Sequence, residues 1–134
     1  MAACGAVYKS MPTFLIALHH IQLAIPAGSE DDARTFYVGV LRMCEIDKPT
    51  ALQGRGGCWF ESGTIQLHLG VETPFTPARK AHPAFVTGDL DQLCAQLDAH
   101  GVDYRRDADL PDARRVFVSD PFGNRIELIE PLKP

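Results

Sequence analysis

One pattern occurs twice along this chain, and a twofold internal repeat limits the fold more than any other feature of the sequence. In the first copy a strand-like run over residues 18–25 is halted by Pro26, Ala27 and Gly28. Ser29-Glu30-Asp31-Asp32 then reads as a helix start, with Ser29 as the expected cap and three acids at the positive end of the helix dipole. Ala33, Phe36, Tyr37 and Val40 recur at i, i+3, i+4, i+7, the stripe of an amphipathic helix. Strand-like segments follow at 44–47, 58–61 and 64–69, with glycines 54, 56 and 57 before the second and a tight Ser62-Gly63 turn before the third.

After a connector over 71–81 that holds Pro74 and Pro77, the order starts again. A strand is expected at 82–86, then a helix opened by a capping-box-like Asp89 and Gln92, with Leu90, Leu93, Cys94 and Leu97 on one face and Gly101 at its end. Strands are expected at 102–104, 116–119 and 125–130, the last two joined by the turn Asp120-Pro121-Phe122-Gly123-Asn124. Two βαβββ units of about 60 residues are too long and too few for a solenoid. The expected architecture is therefore α+β, with two units whose sheets pair around a shared cleft. A loose arm is expected over 1–12, and a single domain over 13–134 with halves at about 14–71 and 81–131.

Composition narrows the function classes. Hydrophobic residues at 46% and charged residues at 22% suit a globular chain of 134 residues. Thirteen basic against seventeen acidic residues leave a net charge of −4, without the basic excess of a nucleic-acid module. No apolar run approaches the roughly 20 residues that span a bilayer, and no secretory signal is read at the start. Cys4, Cys44, Cys58 and Cys94 form no C-x-x-C pair and read as reduced thiols of a cytoplasmic protein.

The repeat also selects a set of polar residues. His20 and His82 open the two units, and Gln66 and Glu127 lie on their last strands; Gln66 follows His20 by 46 residues and Glu127 follows His82 by 45. Strand alternation separates Ile65, Leu67 and Leu69 from Gln66 and His68, and Ile126, Leu128 and Glu130 from Arg125, Glu127 and Ile129. The apolar faces are expected under the helices and the mixed faces towards the cleft, with Trp59 and Phe60 as further candidates to line it. Two imidazoles and a carboxylate converging from different strands suit a divalent first-row metal. Arg79-Lys80 and Arg114-Arg115 are weaker candidates for contact with an anionic substrate, and His19 is expected on the opposite face in a structural role.

The segments His19-His20-Ile21-Gln22-Leu23-Ala24, Ala33-Arg34-Thr35-Phe36-Tyr37, Ala81-His82-Pro83-Ala84-Phe85 and Asp120-Pro121-Phe122-Gly123-Asn124-Arg125-Ile126-Glu127-Leu128 resemble the vicinal oxygen chelate superfamily. That group includes glyoxalase I, fosfomycin-resistance proteins, methylmalonyl-CoA epimerase, extradiol dioxygenases and bleomycin-resistance proteins. The resemblance implies metal ligands at His20, His82 and Glu127 for Zn, Ni, Mn or Fe(II), and a homodimer. It places the fourth family position at Gln66, where glyoxalase I commonly has a glutamate that serves as base. An amide does not take up a proton at neutral pH, so His68 is the expected alternative base or fourth ligand. The expected function is a metal-dependent enzyme acting on a small molecule by isomerisation, epimerisation or epoxide opening. The competing expectation is a metal-free module that sequesters a drug.

Overall fold

A computed structural model describes residues 11–132, so most of the expected arm lies outside the described residues. The repeat is present. The first half runs β1 (Ile21–Ile25), α1 (Glu30–Arg34, continued as a π-helical segment Thr35–Val40), β2 (Cys44–Ile46), a 3-10 turn Thr50–Arg55, β3 (Cys58–Ser62) and β4 (Ile65–Val71). The second runs β5 (Ala84–Val86), α2 (Leu90–Ala99), β6 (Tyr104–Asp107), β7 (Ala113–Ser119) and β8 (Arg125–Pro131). Each half builds one four-stranded sheet, in the orders β1-β4-β3-β2 and β5-β8-β7-β6. In both, the first strand pairs parallel with the last while the other neighbours are antiparallel. The parallel pairing is possible because the helix carries the chain across the sheet between them.

The core follows the two periodicities. Ala33, Phe36, Tyr37 and Val40 from the first helix pack with Phe60, Leu67 and Leu69; Leu90, Cys94 and Leu97 from α2 pack with Val116, Val118, Ile126 and Leu128. Phe60 is therefore a core residue, and its neighbour Trp59 alone faces the other way.

The two halves are clasped by the turn between β7 and β8. The buried Asp120 carboxylate accepts from four donors: the backbone N–H groups of Phe122 and Asn124, the Asn124 amide, and the Tyr37 hydroxyl at 2.7 Å. Asn124 also donates to the Ala24 carbonyl of β1 at 2.8 Å. A buried carboxylate is tolerated only when its oxygens are satisfied in this way. Beside the clasp, residues around the free edges of β1 and β5 meet. Leu18–Ile21 and Gln66 share a cavity of about 590 Å³ with Ala84–Val86, and Ile21–Ala24 share one of about 550 Å³ with Ala81–Pro83.

Several expectations need correction. Ser29 does not cap α1; its hydroxyl donates to the Pro26 carbonyl at 2.6 Å instead. Asp89 does cap α2, accepting from the Gln92 N–H at 3.0 Å. β1 starts at Ile21, not at 18, because Ile21 lies opposite Leu67 and β4 itself begins only two residues earlier, at Ile65. β5 is shorter than expected, starting at Ala84.

β6 begins two residues later than expected. Val102 instead donates its N–H to Leu97 O at 2.9 Å and closes the end of α2, with Gly101 in the left-handed region at φ +66°. β7 begins three residues earlier than expected because Arg114 and Arg115 are strand residues with ion-pair partners. Among the described residues no helix is long and apolar enough to cross a membrane.

Candidate active site

On the first sheet, the register sets Gln22 opposite His68 and His68 opposite Trp59. Leu67 and Leu69 point into the core, so Gln66 and His68 share the face turned away from the helix. His68 lies between two rings, the Trp59 indole at 3.6 Å with planes 1° apart and the His20 imidazole at 4.2 Å with planes 17° apart. Only 6% of its surface is exposed, and this burial, with His20 and His19 adding like charge, lowers its pKa below the ordinary 6.5. The shift favours the neutral imidazole. Gln66 donates its amide N–H to Glu61 Oε2 at 3.3 Å, which leaves its oxygen as a free donor of electrons. Glu61 is half-buried and is the strand partner of Gln66.

On the second sheet, Glu127 lies opposite both Ala84 and Phe117. His82, two residues before Ala84, reaches it: His82 Nε2 is 3.0 Å from Glu127 Oε1, while His82 Nδ1 is 2.9 Å from the Lys80 carbonyl. A carbonyl oxygen only accepts, so Nδ1 carries a hydrogen and Nε2 is aimed at the carboxylate. Arg115 donates to the other oxygen, Glu127 Oε2, at 3.2 Å and to Asp107 at 3.0 Å. The nearby carboxylates hold the Arg115 guanidinium above its ordinary pKa, and Asp107 is held below the usual carboxylate value by the Asp109 N–H and by Arg115. Arg114 lies on the opposite face and pairs with Asp91 and Glu130.

The expected ligands are therefore brought together in part. His82 meets Glu127, and His20 meets His68, but among the described residues no three His, Cys, Asp or Glu side chains gather as a group able to hold a metal ion. The reason is local. His20 precedes the first paired residue of β1, on an exposed segment, and its ring stacks on His68 while its Nδ1 lies 3.0 Å from that of His19.

A family model for the glyoxalase/bleomycin resistance protein/dioxygenase superfamily matches residues 17–128. The chain belongs to that superfamily. A glyoxalase family protein of known structure from Bacillus anthracis is 45% identical, covering 90% of this chain and 99% of its own, with a TM-score of 0.88. TnmS3, an antibiotic binding protein from Streptomyces, is 25% identical over 87% of this chain and 98% of its own, with a TM-score of 0.67. The fosfomycin resistance protein FosX from Listeria monocytogenes, 16% identical over 87% of this chain and 93% of its own, shares the fold with a TM-score of 0.68. A comparison with curated proteins returns no match.

Within this superfamily member, the Asp-Pro-x-Gly-x signature is the Asp120 clasp, so its residues hold the halves together while Glu127, three residues further on, faces the cleft. Two cleft residues, Phe117 and Arg105, escaped the sequence reading, whereas Arg125 lies on the face expected to line the cleft. Phe117 contacts His82 edge-on at 5.5 Å, and Arg105 and Arg125 approach the Phe117 ring. Alternation along β7 and β8 carries the signal for Phe117 and Arg125, since Phe117 shares a face with Arg115 and Arg125 with Glu127. Arg105 carries none, because β6 has no apolar pattern to set its phase.

Proposed function

We propose that this chain is a small metal-dependent glyoxalase-like enzyme that acts on two neighbouring oxygens of a small-molecule substrate, by isomerisation, epimerisation or nucleophilic addition such as epoxide opening. The observation that carries this reading is the His82–Glu127 pair. With Nδ1 tied to the Lys80 carbonyl, Nε2 faces a carboxylate oxygen 3.0 Å away, and either a proton or a metal cation between them makes that approach favourable. A histidine fixed through its other nitrogen is also the usual arrangement behind a metal. His82 and Glu127 would hold the ion, with His20 as the third donor once its ring turns from its stack on His68, and Gln66 as a weak neutral donor through its amide oxygen. A divalent metal bound there supplies Lewis-acid polarisation of the substrate oxygens.

The other residues supply the rest of the chemistry. His68, favoured in its neutral form by burial, would accept a proton from the substrate, a role that the Gln66 amide does not fill. Trp59 fixes the His68 plane by stacking, so the base keeps one orientation. The test is metal titration of untagged protein and of Glu127→Gln. We expect tight binding of Mn, Ni, Zn or Fe(II) by the wild type and a loss well above 1 kcal/mol in the variant, which lacks the anionic donor. Equal affinity would place the site elsewhere.

A sequestering function is the second reading. His82 and Arg115 satisfy both Glu127 oxygens with protein atoms alone, as a cleft that never takes a metal would require. Binding of less than about a tenth of a metal per chain would favour it.

A further inference from the structure

We propose that the cavity bounded by β6, β7, β8 and the connector before His82 binds an oxyanion — carboxylate, phosphate or phosphonate — carried on the substrate. Its volume is about 810 Å³, and Arg79, Arg105, Arg125, Phe117 and Ser119 line it together with Asp103. The Phe117 ring gathers three guanidinium carbons, Arg125 at 4.3 Å from its centroid, Arg105 at 4.9 Å and Arg115 at 5.0 Å. Each contact is favourable through the ring face, but three like charges on one ring repel.

Two of the three are relieved. Arg115 pairs with Glu127 and Asp107, and Arg105 reaches Asp107 at 3.6 Å. Arg125, and Arg79 across the cavity, have no carboxylate within 4.0 Å among the described residues. The result is a cationic pocket in a chain whose net charge is −4. Even with Asp103 on the wall, the three lining arginines leave a positive excess. Guanidinium groups present forked donors that match the paired oxygens of an oxyanion, and Ser119, opposite Arg125 in the β7–β8 register, adds a hydroxyl donor.

The pocket adjoins the proposed reaction centre. Arg125 and Glu127 are two residues apart on β8 and so share a face about 7 Å apart, and Phe117 touches the His82 ring. This inference rests on the metal-site reading for its direction, since an anion held at Arg125 sets the rest of the substrate towards His82 and Glu127.

The experiment is titration of the full chain with phenylphosphonate in the presence of a chelator, followed by calorimetry. Benzyl alcohol serves as the uncharged control and inorganic phosphate as the free ion. We expect saturable binding of phenylphosphonate, at least tenfold weaker binding in Arg125→Gln and partial recovery in Arg125→Lys. No saturable binding, equal binding of benzyl alcohol, or an unaffected Arg125→Gln would overturn the proposal. Inorganic phosphate binding as tightly as phenylphosphonate would overturn the substrate-borne part of it. Because the metal titration is a separate readout, failure here with metal binding intact sinks the anion pocket alone.

Discussion

Tyr37 shows how much one hydroxyl settles. Its ring lies in the core against Phe36 and Phe60, while its O–H donates to the buried Asp120 carboxylate. Burial, then the charge of Asp120 and the hydrogen bond to it, raise the phenol's pKa well above the ordinary value of about 10. Below pH 10 the folded and unfolded chains both keep this proton, so its contribution to stability is complete there. Above pH 10 the unfolded chain releases the proton and the folded chain does not, so stability falls as pH rises. Urea midpoints measured between pH 8 and 11 should therefore drop on the alkaline side, and Tyr37→Phe should flatten that drop while costing about 1–2 kcal/mol at pH 8. The ring's place on the helix face was legible from spacing alone. Its hydroxyl's partner, 83 residues away, was not, because a one-dimensional pattern carries no signal for a bond across the halves.

Among the elements, the β7–β8 turn does the most structural work for its length. Asp120→Ala removes the acceptor for four donors at once, two of them backbone N–H groups inside the turn. A loss of roughly 2–4 kcal/mol is expected from buried donors left without partners, read from denaturant unfolding, with metal affinity changed far less because Glu127 is held by His82 and Arg115 and not by the clasp. Strands with an apolar alternation, β4 and β8, were legible nearly to the residue, and with them the separation of Gln66, His68 and Glu127 from the helix-packed face. β6 was misplaced because Arg105, Arg106 and Asp107 offer no hydrophobic phase and Val102 is claimed by the end of α2. The 3-10 turn at Thr50–Arg55 was hidden by the glycines around it. One of these, Gly57, is required: at φ +80° an added Cβ would sit 2.0 Å from the Leu69 carbonyl oxygen.

For the molecule as a whole, the repeat predicted both sheets and their separate helices, but not the relation of His20 to His82 and Glu127. That relation depends on the segment before β1, where Phe14, Leu15 and Ile16 are 86%, 91% and 86% exposed. Burying each such side chain is worth about 1.5–3 kcal/mol, so the homodimer that the family resemblance implies would gain by covering this segment. Sedimentation of the wild type should show a dimer, and Leu15→Asp combined with Ile16→Asp should shift it towards monomer; an unshifted double variant would place the interface elsewhere.

The outer strands carry a different consequence. β2 has three residues and β6 four, Glu45 on β2 is tied back to Arg34 by two hydrogen bonds, and β6 ends in Arg105, Arg106 and Asp107. A neighbouring chain laid along either margin would find a ladder too short to reward pairing and charges it would have to dehydrate. Sideways growth into fibrils is thereby discouraged at both margins, and a crowded solution meets blunt flanks instead of open templates.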